Sequence, residues 1–213
     1  MEQALADFWS QLHSAEGLKR TIESGGLALM FAIIFAETGL LAGFFLPGDS
    51  LLVTAGVLSV ANGGRPELFD PWTVSLLLTV AAVAGDQTGY WLGRKYGETM
   101  AGRADTWWYK RRHLDEAHDY FARYGAAAIV LARFVPVMRT FVPFVAGMGS
   151  MERGRFVLWN SLGGVLWVWS LVWLGRLIGG TPLADKLHKV ILIVVAVSLL
   201  PLAWAFAKRL LRR

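Results

Sequence analysis

The chain has 213 residues, 55% of them hydrophobic and 17% charged, with a formal net charge of +5 and no cysteine. A soluble domain ordinarily carries about 25% charged residues, whereas here the charges gather between long stretches that have almost none, as in bilayer spans joined by wet loops. A water-soluble fold, disulfides, thiol catalysis and cysteine-held metals are thereby excluded, and the basic balance, with no nucleic-acid motif in the chain, reads as membrane topology and contact with anionic lipid.

The opening stretch MEQALADFWSQLHSAEG lacks the basic and apolar regions of a signal peptide. Leu5, Phe8, Trp9 and Leu12 recur at helical spacing, so residues 1–26 read as an interfacial amphipathic segment. The rest, 27–213, reads as a single membrane domain. Its first apolar stretch, 27–61, is interrupted by Glu37 and Asp49 and reversed near the middle by Pro47-Gly48. One span needs about 20 residues and two need more than 40; this stretch fits neither and predicts a re-entrant hairpin. Such a segment is tolerated in a bilayer only where it is buried in protein or lines a wet cavity.

After the loop NGGRPELFDP, residues 72–92 predict a full span whose single charge is Asp86. Gly85, Gly89, Gly93 and Gly97 follow at four-residue spacing, a smooth face for close helix contact. Residues 94–123 form a basic loop or helix with Arg94, Lys95, Arg103, Lys110, Arg111, Arg112 and Arg123. The stretch 125–151 is again too long for one span and too short for two; it holds Arg133, Arg139, Pro136 and Pro143 and predicts a second re-entrant hairpin. Full spans are predicted over 156–178 and 190–207, followed by a basic tail at 208–213. The positive-inside rule places the basic loop and the C-terminus in the cytoplasm, and the first hairpin then dips in from outside.

The motif W-L-G-R-x-x-G occurs at Trp91–Gly97 and again at Trp173–Gly179; Phe45-Leu46-Pro47 is echoed by Phe134-Val135-Pro136, and Ala55-Gly56 by Ala146-Gly147. Each half reads as a hairpin and then a span, in opposite orientations, which is an inverted-topology repeat of the kind secondary transporters use. The expected fold is thus an all-α polytopic membrane protein: two facing re-entrant helical hairpins plus about three spans.

Glu37 and Asp49 in one hairpin and Arg133 and Arg139 in the other are intramembrane charges, each costing about 2.5–3.5 kcal/mol to insert. Opposite signs on the two hairpins imply that they meet. They act either as a clamp, which apolar packing would do as well, or as a site: arginine forks take phosphate bidentately, and carboxylates moved out of water exchange protons near neutral pH. Asp86 is a weaker candidate, which Arg94 or Lys95 would pair or a helix end would use. The histidines, His13, His113, His118 and His188, show no metal spacing, and there is no P-loop or dinucleotide fingerprint; no metal and no cofactor are expected.

At these residues the sequence resembles the DedA family, also called the SNARE-associated Golgi or VTT-domain family. The resemblance rests on Phe35-Ala36-Glu37-Thr38-Gly39 with Pro47-Gly48-Asp49-Ser50, on Gly85 to Arg94, and on Arg133-Phe134-Val135-Pro136-Val137-Met138-Arg139-Thr140 with Pro143. The earlier proline common in the family's first motif is absent here. The resemblance implies a multi-pass bacterial inner-membrane protein with facing re-entrant hairpins, and a role in translocating lipid phosphates such as undecaprenyl phosphate. It also carries the family's essential acids onto Glu37 and Asp49 and its essential arginines onto Arg133 and Arg139.

The expected function is a proton-linked transporter, not an enzyme, for an anionic lipid. Arg133 and Arg139 would bind the lipid phosphate, Glu37 and Asp49 would couple protons, and Pro47, Gly48, Pro136, Pro143, Gly85, Gly89 and Gly93 would hinge and pack the hairpins. Its partners would be the bilayer, a polyprenyl or other lipid phosphate, and protons, with no nucleic acid and with homo-oligomerisation open. The alternatives are a small-ion/proton antiporter and a non-transport scaffold for envelope enzymes.

Overall fold

The structure is a computed structural model that describes residues 15–40, 46–61, 67–100, 125 and 127–181. Most of the N-terminal segment and of the basic loop, the four histidines, the span read at 190–207 and the tail at 208–213 lie outside the described residues. Within them every regular element is a helix: α1 (Ala15–Gly39), α2 (Gly48–Leu58), α3 (Pro71–Met100), α4 (Ala127–Ala132), α5 (Pro136–Met148) and α6 (Arg153–Gly179).

Local chemistry sets most of the boundaries. α1 kinks at Gly26, whose φ of 58° and ψ of −156° suit a residue without Cβ. Asp70 caps α3: both the backbone N–H and the hydroxyl of Thr73 donate to its Oδ2, each at 2.7 Å, with Pro71 at the first helical position. Those two hydrogen bonds, the hydroxyl's first, hold the Asp70 carboxyl below the usual carboxylate range. α4 ends and α5 begins around Pro136. The residue before a proline is pushed out of the α region, and Val135 is extended at φ −115°, ψ 110°. The break holds Arg133 in a turn.

At 1.5 Å per residue, the 11 residues of α2 reach about 16 Å and the 13 of α5 about 20 Å, against a hydrocarbon core of about 30 Å. Neither helix alone is long enough to span it. Among the described residues α6, with 27 residues, is the helix long and apolar enough to do so on its own. The segment read as a span over 72–92 is the N-terminal part of α3, which runs on to Met100. α3 falls short in hydropathy because Asp86 and Gln87 interrupt its apolar run. Outward-facing Trp72, Leu76 and Val80 on α3 and Leu158, Leu162 and Leu166 on α6 are exposed at helical spacing, apolar stripes that suit lipid.

α2 packs mainly on α6 and α5 mainly on α3, while α1 lies against α3. The two copies of W-L-G-R-x-x-G make matching contacts. A Cβ on Gly93 would strike the Phe144 carbonyl and one on Gly147 the Tyr90 carbonyl; a Cβ on Gly175 would strike the Val53 carbonyl and one on Gly56 the Val172 carbonyl. Phe144 and Val53 precede Gly147 and Gly56 by the same step, and Tyr90 and Val172 precede Gly93 and Gly175 likewise. At the far ends Gly97 meets Met148 and Gly179 meets Val57. Backbones touch at both crossings, as small residues permit.

The four-residue glycine ladder of α3 is therefore shared between partners. Gly85 abuts Thr38 and Gly39 of α1, and Gly93 and Gly97 abut α5. Gly89 has looser surroundings, its nearest neighbour to an added Cβ being Pro143 at 3.6 Å. Two apolar clusters result. One joins Met30, Ile34, Leu51, Leu52, Leu78 and Val172; the other joins Tyr90, Ile129, Val142, Ala146 and Phe156. On α3 the charge at Asp86 falls between the residues given to the two clusters.

Candidate functional site

The buried charges form one layer between those clusters. Arg139, on the first turns of α5, spans two helices at once. Its Nη2 pairs with Glu37 Oε1 on α1, and its Nη1 pairs with Asp49 Oδ1 on α2 at 2.6 Å. Gly48 makes this possible, because any side chain there would occupy the place of the Glu37 carboxylate. Asp49 sits in the first turn of α2, where the helix dipole favours a negative charge. Thr38, next to Glu37, donates to the carbonyls of Ile34 at 3.0 Å and Ala82 at 3.3 Å, fixing α1 against α3.

Trp167 of α6 completes this half. It is 1% exposed; its Nε1–H donates to Asp49 Oδ1 at 2.8 Å, and its ring lies under the Arg139 guanidinium at 4.7 Å from the centroid. The same ring stands 5.8 Å from the guanidinium of Arg133, so one indole touches both arginines by cation–π contact.

Arg133 does not join Glu37 or Asp49. From the turn between α4 and α5 its Nη2 pairs with Asp86 on α3 and donates to Asn160 Oδ1 on α6 at 2.7 Å. The Asn160 amide in turn donates to the Val83 carbonyl at 3.4 Å. Gly163 and Gly164 line the Arg133 side chain: a Cβ on either would lie in van der Waals contact with it, at 3.4–3.6 Å, and tighter against Val130 Cα at 3.3 Å or Val83 Cγ2 at 3.0 Å. This corrects the reading of Asp86, whose partner is Arg133 and not Arg94 or Lys95. Asp86 is 2% exposed and faces the bundle, on a different side of α3 from Lys95.

The layer holds three carboxylates (Glu37, Asp49, Asp86) against two guanidinium groups. Several buried atoms have no hydrogen-bond partner among the described residues: Glu37 Oε2, Asp86 Oδ1, Arg139 Nε, and both Nε and Nη1 of Arg133. Such atoms ordinarily cost about 1–3 kcal/mol each, so the layer keeps donors and acceptors in reserve at a price in stability. Among the described residues no group of three or more His, Cys, Asp or Glu could hold a metal ion.

Of the other residues singled out in the sequence, Pro47 stands just before α2, Pro136 opens α5, and Pro143 lies inside it. There it removes the amide that would bond the Arg139 carbonyl. Asn160, Trp167 and the Gly163-Gly164 pair were missed. Their signal is spacing: 160, 163, 164 and 167 fall on one helical face, and Asn160 is a lone amide in an apolar run.

A family model described as the VTT domain matches residues 46–177. "Protein DedA" of Escherichia coli is 39% identical over 175 residues, covering 82% of this chain and 78% of that protein. "Inner membrane protein YqjA" of Escherichia coli is 39% identical over 158 residues, covering 74% and 70%. An uncharacterized membrane protein of Mycobacterium tuberculosis is 38% identical over 189 residues, covering 87% and 80%. No solved structure matches the chain.

Proposed function

The chain belongs to the VTT-domain family of membrane proteins, the family of DedA, and from that premise we propose that it is a proton-linked carrier of an anionic lipid phosphate, with undecaprenyl phosphate the leading substrate, in a bacterial inner membrane. In this reading it is a transporter and not an enzyme, its C-terminus is cytoplasmic, and α1–α2 and α4–α5 are re-entrant hairpins of an inverted repeat. The short reach of α2 and α5 and the matched glycine crossings support that topology.

The observation that carries the proposal is the Arg139 site: a buried guanidinium whose two terminal nitrogens are taken by carboxylates from two different helices. A phosphate and a carboxylate compete for the same fork. When Glu37 takes up a proton it ceases to be an anionic competitor, and one arm of Arg139 is released to the headgroup. Arg133, within cation–π distance of the same Trp167 ring, offers Nε and Nη1, so the two arginines grip a phosphate between them while the prenyl tail stays in lipid. Loss of the proton restores the Glu37–Arg139 pair and expels the headgroup.

A second reading, a small-ion/proton antiporter, draws on the excess of carboxylates over arginines in the layer. Reconstitution into liposomes separates the two. The carrier flips fluorescent lipid phosphates and is protected against heat by them, whereas monovalent cations protect an antiporter. Protection by cations with no flipping of any lipid phosphate would replace the first reading with the second.

A further inference from the structure

A cavity of about 650 Å³ opens at the surface beside the C-terminal part of α3 and the start of α6, apart from the buried charge layer. Gln87, Trp91 and Lys95 succeed one another on α3 at four-residue spacing, on a different face from Asp86, Gly93 and Gly97. With them the described lining includes Tyr90, Arg94 and Arg153: three cations and no acid.

The groups are held in place. Arg94 donates to the Tyr90 hydroxyl at 3.3 Å, that hydroxyl donates to the Met151 carbonyl, and the Tyr90 ring stacks on Phe156 at 4.5 Å. Lys95 Nζ stands 5.1 Å from the centre of the Trp91 ring. Gln87 Nε2 is buried and has no hydrogen-bond partner among the described residues. Trp and Tyr beside Arg and Lys at the end of an apolar helix place the cavity at headgroup depth. Its volume lies within the range of sites for whole small molecules and far exceeds that of a bare phosphate.

We propose that this cavity is a binding site for the headgroup of an anionic phospholipid. Arg94, Lys95 and Arg153 take the phosphodiester, and the acyl chains run along the outward apolar side chains. The site is separate from the transport site and does not depend on that reading. Through Arg94, Tyr90 and Met151 a bound lipid braces α3 against the link between α5 and α6.

The test uses the purified full chain in a non-ionic detergent. Thermal unfolding is followed while short-chain phosphatidylglycerol, short-chain phosphatidylcholine or inorganic phosphate is titrated in. Phosphatidylglycerol alone should raise the midpoint, and saturably. A basic residue near an anionic surface contributes roughly fivefold in affinity. Lys95→Gln with Arg153→Gln should therefore weaken phosphatidylglycerol roughly 30-fold, and Arg153→Gln alone, should the double variant not fold, roughly fivefold. Arg139→Lys should leave this affinity unchanged even where it abolishes transport. Equal affinity in the cavity variants, equal protection by phosphatidylcholine or by inorganic phosphate, or loss of phosphatidylglycerol binding in Arg139→Lys would each overturn the assignment.

Discussion

The two buried arginines share one layer and one tryptophan, yet their surroundings differ in kind. Arg139 is gripped by Glu37 and Asp49 from two helices. Arg133 has one carboxylate and one amide, with two of its nitrogens unpartnered among the described residues. In the proposed carrier, the guanidinium held by two acids is the one that protonation releases, and the guanidinium with one acid and spare donors is the one that receives the headgroup. The difference teaches that intramembrane charges divided between hairpins need not pair hairpin to hairpin: Arg133 finds its acid on α3, and Arg139 is the one that pairs across the two segments read as hairpins.

The largest effect should come from removing the arginines. Arg139→Ala leaves Glu37 and Asp49 together without a counter-charge. It should cost at least the about 3–5 kcal/mol typical of a broken buried pair, or prevent folding. Arg133→Ala strands Asp86 alone and should cost less. Thermal midpoints and folded yields of the two variants in detergent measure the gap; equal losses would erase the distinction.

Trp167→Phe comes next. The ring under Arg139 is kept and the donor to Asp49 is lost, a hydrogen bond to a charged group worth about 1.5–3 kcal/mol. A double-mutant cycle with Asp49→Ala should show most of that cost vanish, while a cycle with Asp86→Ala should show none of it vanish. Coupling to Asp86 in place of Asp49 would move Trp167 to the Arg133 half.

Gly164→Ala should be the mildest. The new methyl meets Val83 Cγ2 at 3.0 Å and Arg133 at 3.6 Å, so side chains and not backbone must yield. A cost near the lower end of about 1–3 kcal/mol is expected. Gly93→Ala, whose Cβ would meet the Phe144 backbone, should cost clearly more in the same unfolding assay.

Much of this layer was legible in the sequence because charge in an apolar segment is conspicuous. Glu37, Asp49, Arg133 and Arg139 stand out for that reason alone. The pairing was not legible. Which acid meets which arginine depends on the Val135–Pro136 break that turns Arg133 toward α3, and on Gly48 admitting Glu37 beside Asp49. Asn160 and Trp167 stayed hidden for another reason. An uncharged amide does not show in a search for intramembrane charges, and one tryptophan among ten draws no notice where tryptophan also serves as an interfacial anchor. The span ends at residue 92 in the sequence reading because Arg94 and Lys95 open a basic segment that is loop or helix; the glycine ladder to Gly97 is what carries α3 on against α5.

The central claim is that Glu37 exchanges a proton while Arg139 exchanges partners, and flipping measured against pH in two variants tests it most directly. Glu37→Gln keeps size and hydrogen bonding but cannot titrate. The carrier account predicts that it folds, binds lipid phosphate and flips at a rate that no longer follows pH. Arg139→Lys keeps the charge and loses the fork, so flipping should fall with the fold intact. If instead Glu37→Gln unfolds the protein while Arg139→Lys flips lipid phosphate at the normal, pH-dependent rate, the layer is a structural clamp and the carrier mechanism is wrong.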